Sequence, residues 1–170
     1  MKKRVASVLL IIALVASLFN VFLPGITLEV GATASKITTN LELVERALNV
    51  ANNYKTLYVM GGWGQPLTEA NKKTLIDKWD YNQQPDRTAM INAASTDTFA
   101  FDCVCLIKGL LWGWDGTLSH TNGGAVYGSN GVSDTNATGM IDYCYDVSTD
   151  FSDIEVGEIL WMTGHVGIYI

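Results

Sequence analysis

The 170 residues carry 17 acidic and 11 basic side chains, a formal charge of −6, and a hydrophobic fraction of 48%. That is enough chain for one domain with its own core. The acid excess and the lack of any lysine and arginine run argue against nucleic-acid binding, and also against electrostatic adhesion to an anionic lipid or wall polymer.

At the N-terminus, Lys2, Lys3 and Arg4 precede a nearly unbroken apolar run over residues 5–19, and Ala32-Thr33-Ala34 supplies a small-x-small cleavage pattern. Residues 1–34 therefore read as a secretory signal peptide. A membrane anchor is the alternative, because residues 5–23 approach the roughly 20 apolar residues that a bilayer requires. Asn20 interrupts that run and Pro24-Gly25 ends it, which favours export and cleavage with no stable membrane insertion afterwards. Cleavage removes Lys2, Lys3, Arg4 and Glu29, a net +2, and takes the charge from −6 to −8. Residues 35–170 then form one domain, with residues 25–36 as a small-residue linker across the cleavage point.

The first folded element is a helix over residues 40–54. Thr39 and Glu42 make a capping-box pattern, and Leu41, Val44, Leu48 and Ala51 recur at helical spacing, with Leu43, Ala47 and Val50 widening the stripe. An apolar run from Leu57 stops at the glycine-rich turn Gly61-Gly62-Trp63-Gly64. Thr68 opens a polar helix to about Trp79, and Pro85 or Asp86 starts another to about Ala94. Residues 68–95 read as a surface helical insertion, either a wall of a cleft or cover for the core. Residues 103–114 read as a buried helix, apolar nearly all round with Lys108 as its one charge. The Gly, Asn, Ser and Thr rich stretch 115–136 is a long loop of the kind that often carries function. A short helix over 137–145 follows, then strands over 154–162 and 165–170, joined by a tight Thr163-Gly164 turn into an antiparallel hairpin. Ile170 ends an apolar strand with no turn or polar tail, so we expect the parent chain to continue.

Chemistry is concentrated around Phe101-Asp102-Cys103. Asp102 can cap a helix, which puts Cys103 on the first turn, where unpaired N–H groups and the helix dipole favour a thiolate over a thiol. A thiolate nucleophile needs a base. Of the two histidines, His165 stands after a glycine turn at the start of a strand, rigidly held, whereas His120 lies in the long loop and reads as a solvated surface residue. Three cysteines in an exported chain cannot all pair internally. Cys103 and Cys105 are too close for a useful bridge, which leaves Cys105 with Cys144, or the reading we prefer, that both are small buried apolar residues.

Three segments resemble the NlpC-type cell-wall peptidases, papain-like thiol hydrolases. Tyr58-Val59-Met60-Gly61-Gly62 is similar to the family's Tyr-x-x-Gly-Gly segment, Phe101-Asp102-Cys103-Val104-Cys105-Leu106-Ile107 to its nucleophile segment, and Gly157-Glu158-Ile159 with Gly164-His165-Val166-Gly167-Ile168-Tyr169 to its histidine segment. The resemblance implies an α+β, papain-like fold with the nucleophile at the N-terminus of a buried helix packed on an antiparallel sheet, the sheet incomplete at the C-terminus. It implies Cys103 as nucleophile, His165 as base and Tyr58 as a ring whose hydroxyl positions substrate or the oxyanion. Gly61, Gly62, Trp63, Asp102 and Gly164, which flank these three, are the candidate substrate-binding residues. The implied partner is the stem peptide of peptidoglycan, with no metal or other cofactor. The chain departs from the family at Val104-Cys105, where a small pair is usual, and in the insertion between Gly62 and Phe101. The third residue that orients the histidine would lie beyond Ile170, and without it a triad enzyme loses several orders of magnitude in rate. The alternatives are a thiol amidase with the same Cys-then-His order acting on another wall amide bond, and a secreted binding or structural module in which Cys103 is inert.

Overall fold

The computed structural model describes residues 36–170. The segment read as a signal peptide lies outside them. Among the described residues the fold is mixed α and β, with four α-helices and two small sheets. Among the described residues no helix is long and apolar enough to cross a membrane.

Helix α1 (Asn40–Asn53) starts at the expected cap. The Thr39 hydroxyl accepts from the Glu42 amide at 3.1 Å, and the Glu42 carboxylate accepts from the Thr39 amide at 3.2 Å. Those reciprocal bonds satisfy amides that have no partner inside the helix. Strand β1 (Thr56–Tyr58) leads into the glycine turn, and β2 (Trp63–Pro66) leaves it. Helices α2 (Glu69–Lys78) and α3 (Pro85–Ala93) follow, the first capped by the Thr68 hydroxyl and the second opened by a proline whose missing N–H costs nothing there.

Strand β3 (Phe99–Phe101) then inserts between the earlier two, parallel to β1 and antiparallel to β2. A parallel pair needs a crossover of a dozen or more residues, and α2 and α3 supply it. All three residues of β3 are buried because both faces of the sheet are covered. Phe99 and Phe101 point into the main core with Val104, Ile107, Leu110 and Trp112, while Ala100 points the other way, into a smaller core with Val59, Leu67, Leu75 and Ile91. The helical insertion is thus the cover of the second face.

Helix α4 (Cys103–Leu111) begins where expected and ends three residues early. Gly113 takes φ +88°, its amide donates to the Leu110 carbonyl at 3.0 Å, and the Trp114 amide donates to the Gly109 carbonyl at 2.9 Å. That left-handed C-terminal cap needs glycine, and it stops the helix whatever the hydropathy of Trp112 and Trp114. Both indoles go into the core instead.

The chain ends in the hairpin of β4 (Ile159–Met162) and β5 (His165–Ile168), antiparallel in register from Ile159 opposite Ile168 to Met162 opposite His165. The expected strand from residue 154 is shorter because residues 151–158 turn twice, Ile154 bonding back to Phe151 and Glu158 to Glu155. Val166, 2% exposed, buries β5 in the main core, and the Trp161 indole N–H bonds the carbonyls of Ala137 and Thr138. Helix α4 therefore packs on a mixed three-stranded sheet and on a separate antiparallel hairpin, not on one antiparallel sheet. The crossover through α2 and α3 is the reason, since it returns the chain in the direction of β1.

Residues 115–136 contain only one short 3-10 turn, Ser129–Gly131. They are pinned by Lys108, buried in α4, which donates to the Asp134 carboxylate and the Thr135 carbonyl, and by the Trp112 indole N–H bonding the Val132 carbonyl at 2.8 Å. Burial opposes the charge of Asp134, but the Lys108 ammonium and the Tyr127 hydroxyl outweigh it and hold the carboxyl below its usual 3.8. A depressed carboxyl stabilises the fold above its unfolded pKa, and that stabilisation is lost as pH falls through the folded value. Acid titration followed by tryptophan fluorescence should therefore show loosening of this loop over Trp112 only below about pH 4. Asp134→Asn should weaken the loop at neutral pH and remove the acid-dependent step.

Candidate active site

Cys103 is the first residue of α4 and is half-buried. Its position is set by Asp102, whose extended backbone (φ −100°, ψ 177°) precedes the helix. One Asp102 carboxylate oxygen accepts from the Cys105 amide at 2.7 Å, capping α4. The other accepts from the Gly61 amide at 2.9 Å, and the Asp102 amide donates to the Gly62 carbonyl at 2.8 Å. One buried side chain thus ties the helix that carries Cys103 to the glycine turn that follows Tyr58. Asp102 is 7% exposed with both carboxylate oxygens engaged on backbone amides. It orders the site from beneath.

The turn itself needs glycine for packing. A Cβ on Gly61, at φ +76°, would lie 2.0 Å from the Trp79 indole nitrogen, and one on Gly62 would lie 2.8 Å from the Ala100 backbone. These two residues face the insertion and the sheet.

Tyr58 ends β1 and is 37% exposed. Its phenol is pushed up to about 12 by partial burial and by its neighbours Cys103 and Asp102. It remains a hydrogen-bond donor across the working pH range. His165 stands at the start of β5, exposed, next to the buried Val166 that anchors the strand.

Tyr58, Cys103 and His165 line one groove of about 420 Å³. They come from three segments far apart in the chain. Apart from Thr56 and Asp102 the rest of the lining is apolar, including Leu48 and Ala51 of α1, Leu106 of α4 and Ile168 of β5. Sequence reading assigned Leu48 and Ala51 to the core stripe of α1. In the fold Leu43, Val44 and Val50 fill that role, and the other apolar edge of the helix becomes a wall of the groove. The signal was present in the width of the stripe, which exceeds what one buried face uses.

The remaining candidates lie elsewhere. Trp63 packs its ring edge-on to Trp112 and Tyr127 at 5.6 and 5.9 Å, beneath the long loop and outside the groove lining. Gly164 occupies the exposed hairpin turn at φ +79°. His120 is exposed in the long loop, which covers the aromatic core and does not line the groove.

All three thiols are free. Burial pushes the Cys105 thiol far up, with the Asp102 charge adding to it, and burial raises Cys144 as well. Cys105 belongs to the main core, which accounts for the second thiol as a small apolar packing residue. Among the described residues no group of three or more His, Cys, Asp or Glu side chains is gathered as a metal site. No family model, curated protein or solved structure matches this chain.

Proposed function

We propose that this protein is a secreted thiol hydrolase of the NlpC type that cleaves amide bonds in the stem peptides of bacterial peptidoglycan. One observation carries the reading: a cysteine at a helix start, a histidine on a strand and a tyrosine from the glycine-turn segment line the same groove. The likeness of the three motif segments supplies the substrate class.

In the proposed reaction His165 takes the proton of the Cys103 thiol, and the thiolate attacks the carbonyl carbon of the scissile amide. The backbone N–H of Cys103, which as the first helical residue has no partner inside α4, is available to the developing oxyanion, with the Tyr58 hydroxyl as a second donor. The C–N bond breaks as His165 returns the proton to the leaving amine, and a thioester remains on Cys103. Water, deprotonated by His165, then releases the carboxylic acid and restores the thiol.

The test is digestion of purified peptidoglycan, with mass analysis of soluble fragments. The proposal predicts new amine termini within the stem peptide. A cut at the sugar-to-peptide amide would assign a thiol amidase. Release no greater than that by Cys103→Ala would leave a binding module.

A further inference from the structure

The helical insertion carries a feature that its role as core cover does not require. Arg87, half-buried on α3, donates through Nη2 to the Tyr58 carbonyl. Its guanidinium also lies over the Tyr58 ring at 5.7 Å and over the Tyr81 ring at 5.1 Å. Tyr81, from the 3-10 turn Asp80–Gln83, meets the Tyr58 ring edge-on at 6.2 Å. The Arg87 Nε is buried with no hydrogen-bond partner among the described residues. A planar cation lying over two aromatic rings is a stable arrangement.

Resting on the reading of Cys103 as the nucleophile, we infer that Arg87 is a positioning residue which fixes Tyr58 against the Cys103 thiol and makes the insertion part of the active site. Arg87 grips Tyr58 twice, by main chain and by ring, so the side chain that shares the groove with the Cys103 thiol has little freedom left. Tyr58 stands at the end of a three-residue strand, just before a glycine turn, where the sheet alone restrains it weakly. A tyrosine free to swing would meet the thiol only part of the time, and an 1 Å misplacement of a catalytic group is costly. Lysine at this position keeps the charge near the rings but has no planar fork for the carbonyl and two rings together.

The test uses the rate of Cys103 alkylation by iodoacetamide at pH 7, read by mass spectrometry, in wild type, Tyr58→Phe, Arg87→Ala, Arg87→Lys and the Tyr58→Phe/Arg87→Ala double variant. A phenol that donates to the thiolate favours the reactive form, so Tyr58→Phe and Arg87→Ala should each slow labelling by at least about threefold, within the range of coupled neighbours. The double variant should be no slower than the slower single variant, and Arg87→Lys should recover part of the loss. Asp86→Asn, exposed on the same helix, should label as wild type does. Far-ultraviolet circular dichroism and a thermal melt identify any variant that has lost its fold, in which case Arg87→Lys against wild type decides. Wild-type labelling in Arg87→Ala, or effects of the two substitutions that multiply, would overturn the inference. Labelling needs no turnover of peptidoglycan, so loss of the hydrolase reading alone would leave this coupling intact.

Discussion

Replacing Cys103 by alanine should lower the release of peptidoglycan fragments by roughly three to six orders of magnitude, the range found when the nucleophile of a triad enzyme is removed. The fold should hardly notice. Cys103 is only half-buried, the core thiol next to it is Cys105, and the Asp102 cap bonds the Cys105 amide and not the Cys103 side chain. We expect a stability change of less than about 1 kcal/mol, as for substitutions away from core and cap. His165→Ala should lose activity on a similar scale with equally little effect on stability, because its side chain is exposed and Val166 holds the strand. Full loss of activity together with an unchanged melt is the pattern that separates chemistry from folding here.

The largest stability effect among the site residues is expected at Asp102. Asp102→Ala removes a helix cap, worth about 0.5–2 kcal/mol, and leaves the Gly61 amide without its acceptor, which costs about 1–3 kcal/mol for a buried donor. The two terms together predict a loss of about 1.5–5 kcal/mol in urea denaturation, seen as a lower midpoint at unchanged slope. Asp102→Asn keeps one acceptor and should lose roughly half as much, since its amide NH2 must face one of the two backbone N–H groups. Activity should fall with both variants, because the start of α4 and the glycine turn lose their common tie. A variant of unchanged stability with a raised KM alone would make Asp102 a substrate contact.

Much of the helical framework could be read from the sequence, because helix starts are written locally. Thr39 with Glu42, Thr68, Pro85 and Asp102 each mark a start that the fold keeps. Ends were harder. Trp112 and Trp114 continue an apolar pattern, and only the left-handed Gly113 between them stops α4. The sheet was the least legible part. Strands of three or four residues carry almost no periodic signal, and the parallel pairing of Thr56–Tyr58 with Phe99–Phe101 depends on a crossover more than on either segment. The hairpin was legible because its turn and its two strands are adjacent in the chain.

Of the candidate residues read from sequence, those that share the groove are mainly ones whose type announces chemistry. Cys103, His165 and Tyr58 line the groove together. The flanking residues Gly61 and Gly62 face Trp79 and Ala100 rather than the groove, and Asp102 ties their turn to the start of α4 through the Gly61 and Cys105 amides, contacts that no local pattern encodes. The apolar wall from α1 and the Arg87 brace were missed for the same reason. Leu48 and Ala51 look like any core stripe, and an arginine on a polar helix looks like solvated surface until the fold sets it over two rings.

The central claim is that Cys103, activated by His165, is the nucleophile of this groove. The most direct measurement is covalent trapping with an alanyl peptide bearing a chloromethyl ketone, whose chloride a reactive thiolate displaces, followed by peptide mapping. The account predicts one adduct, on Cys103, formed more slowly in His165→Ala and absent in Cys103→Ala, with Cys105 and Cys144 unmodified because burial raises both thiols. Equal labelling of Cys105 or Cys144, or labelling of Cys103 that is unaffected by loss of His165, would contradict it.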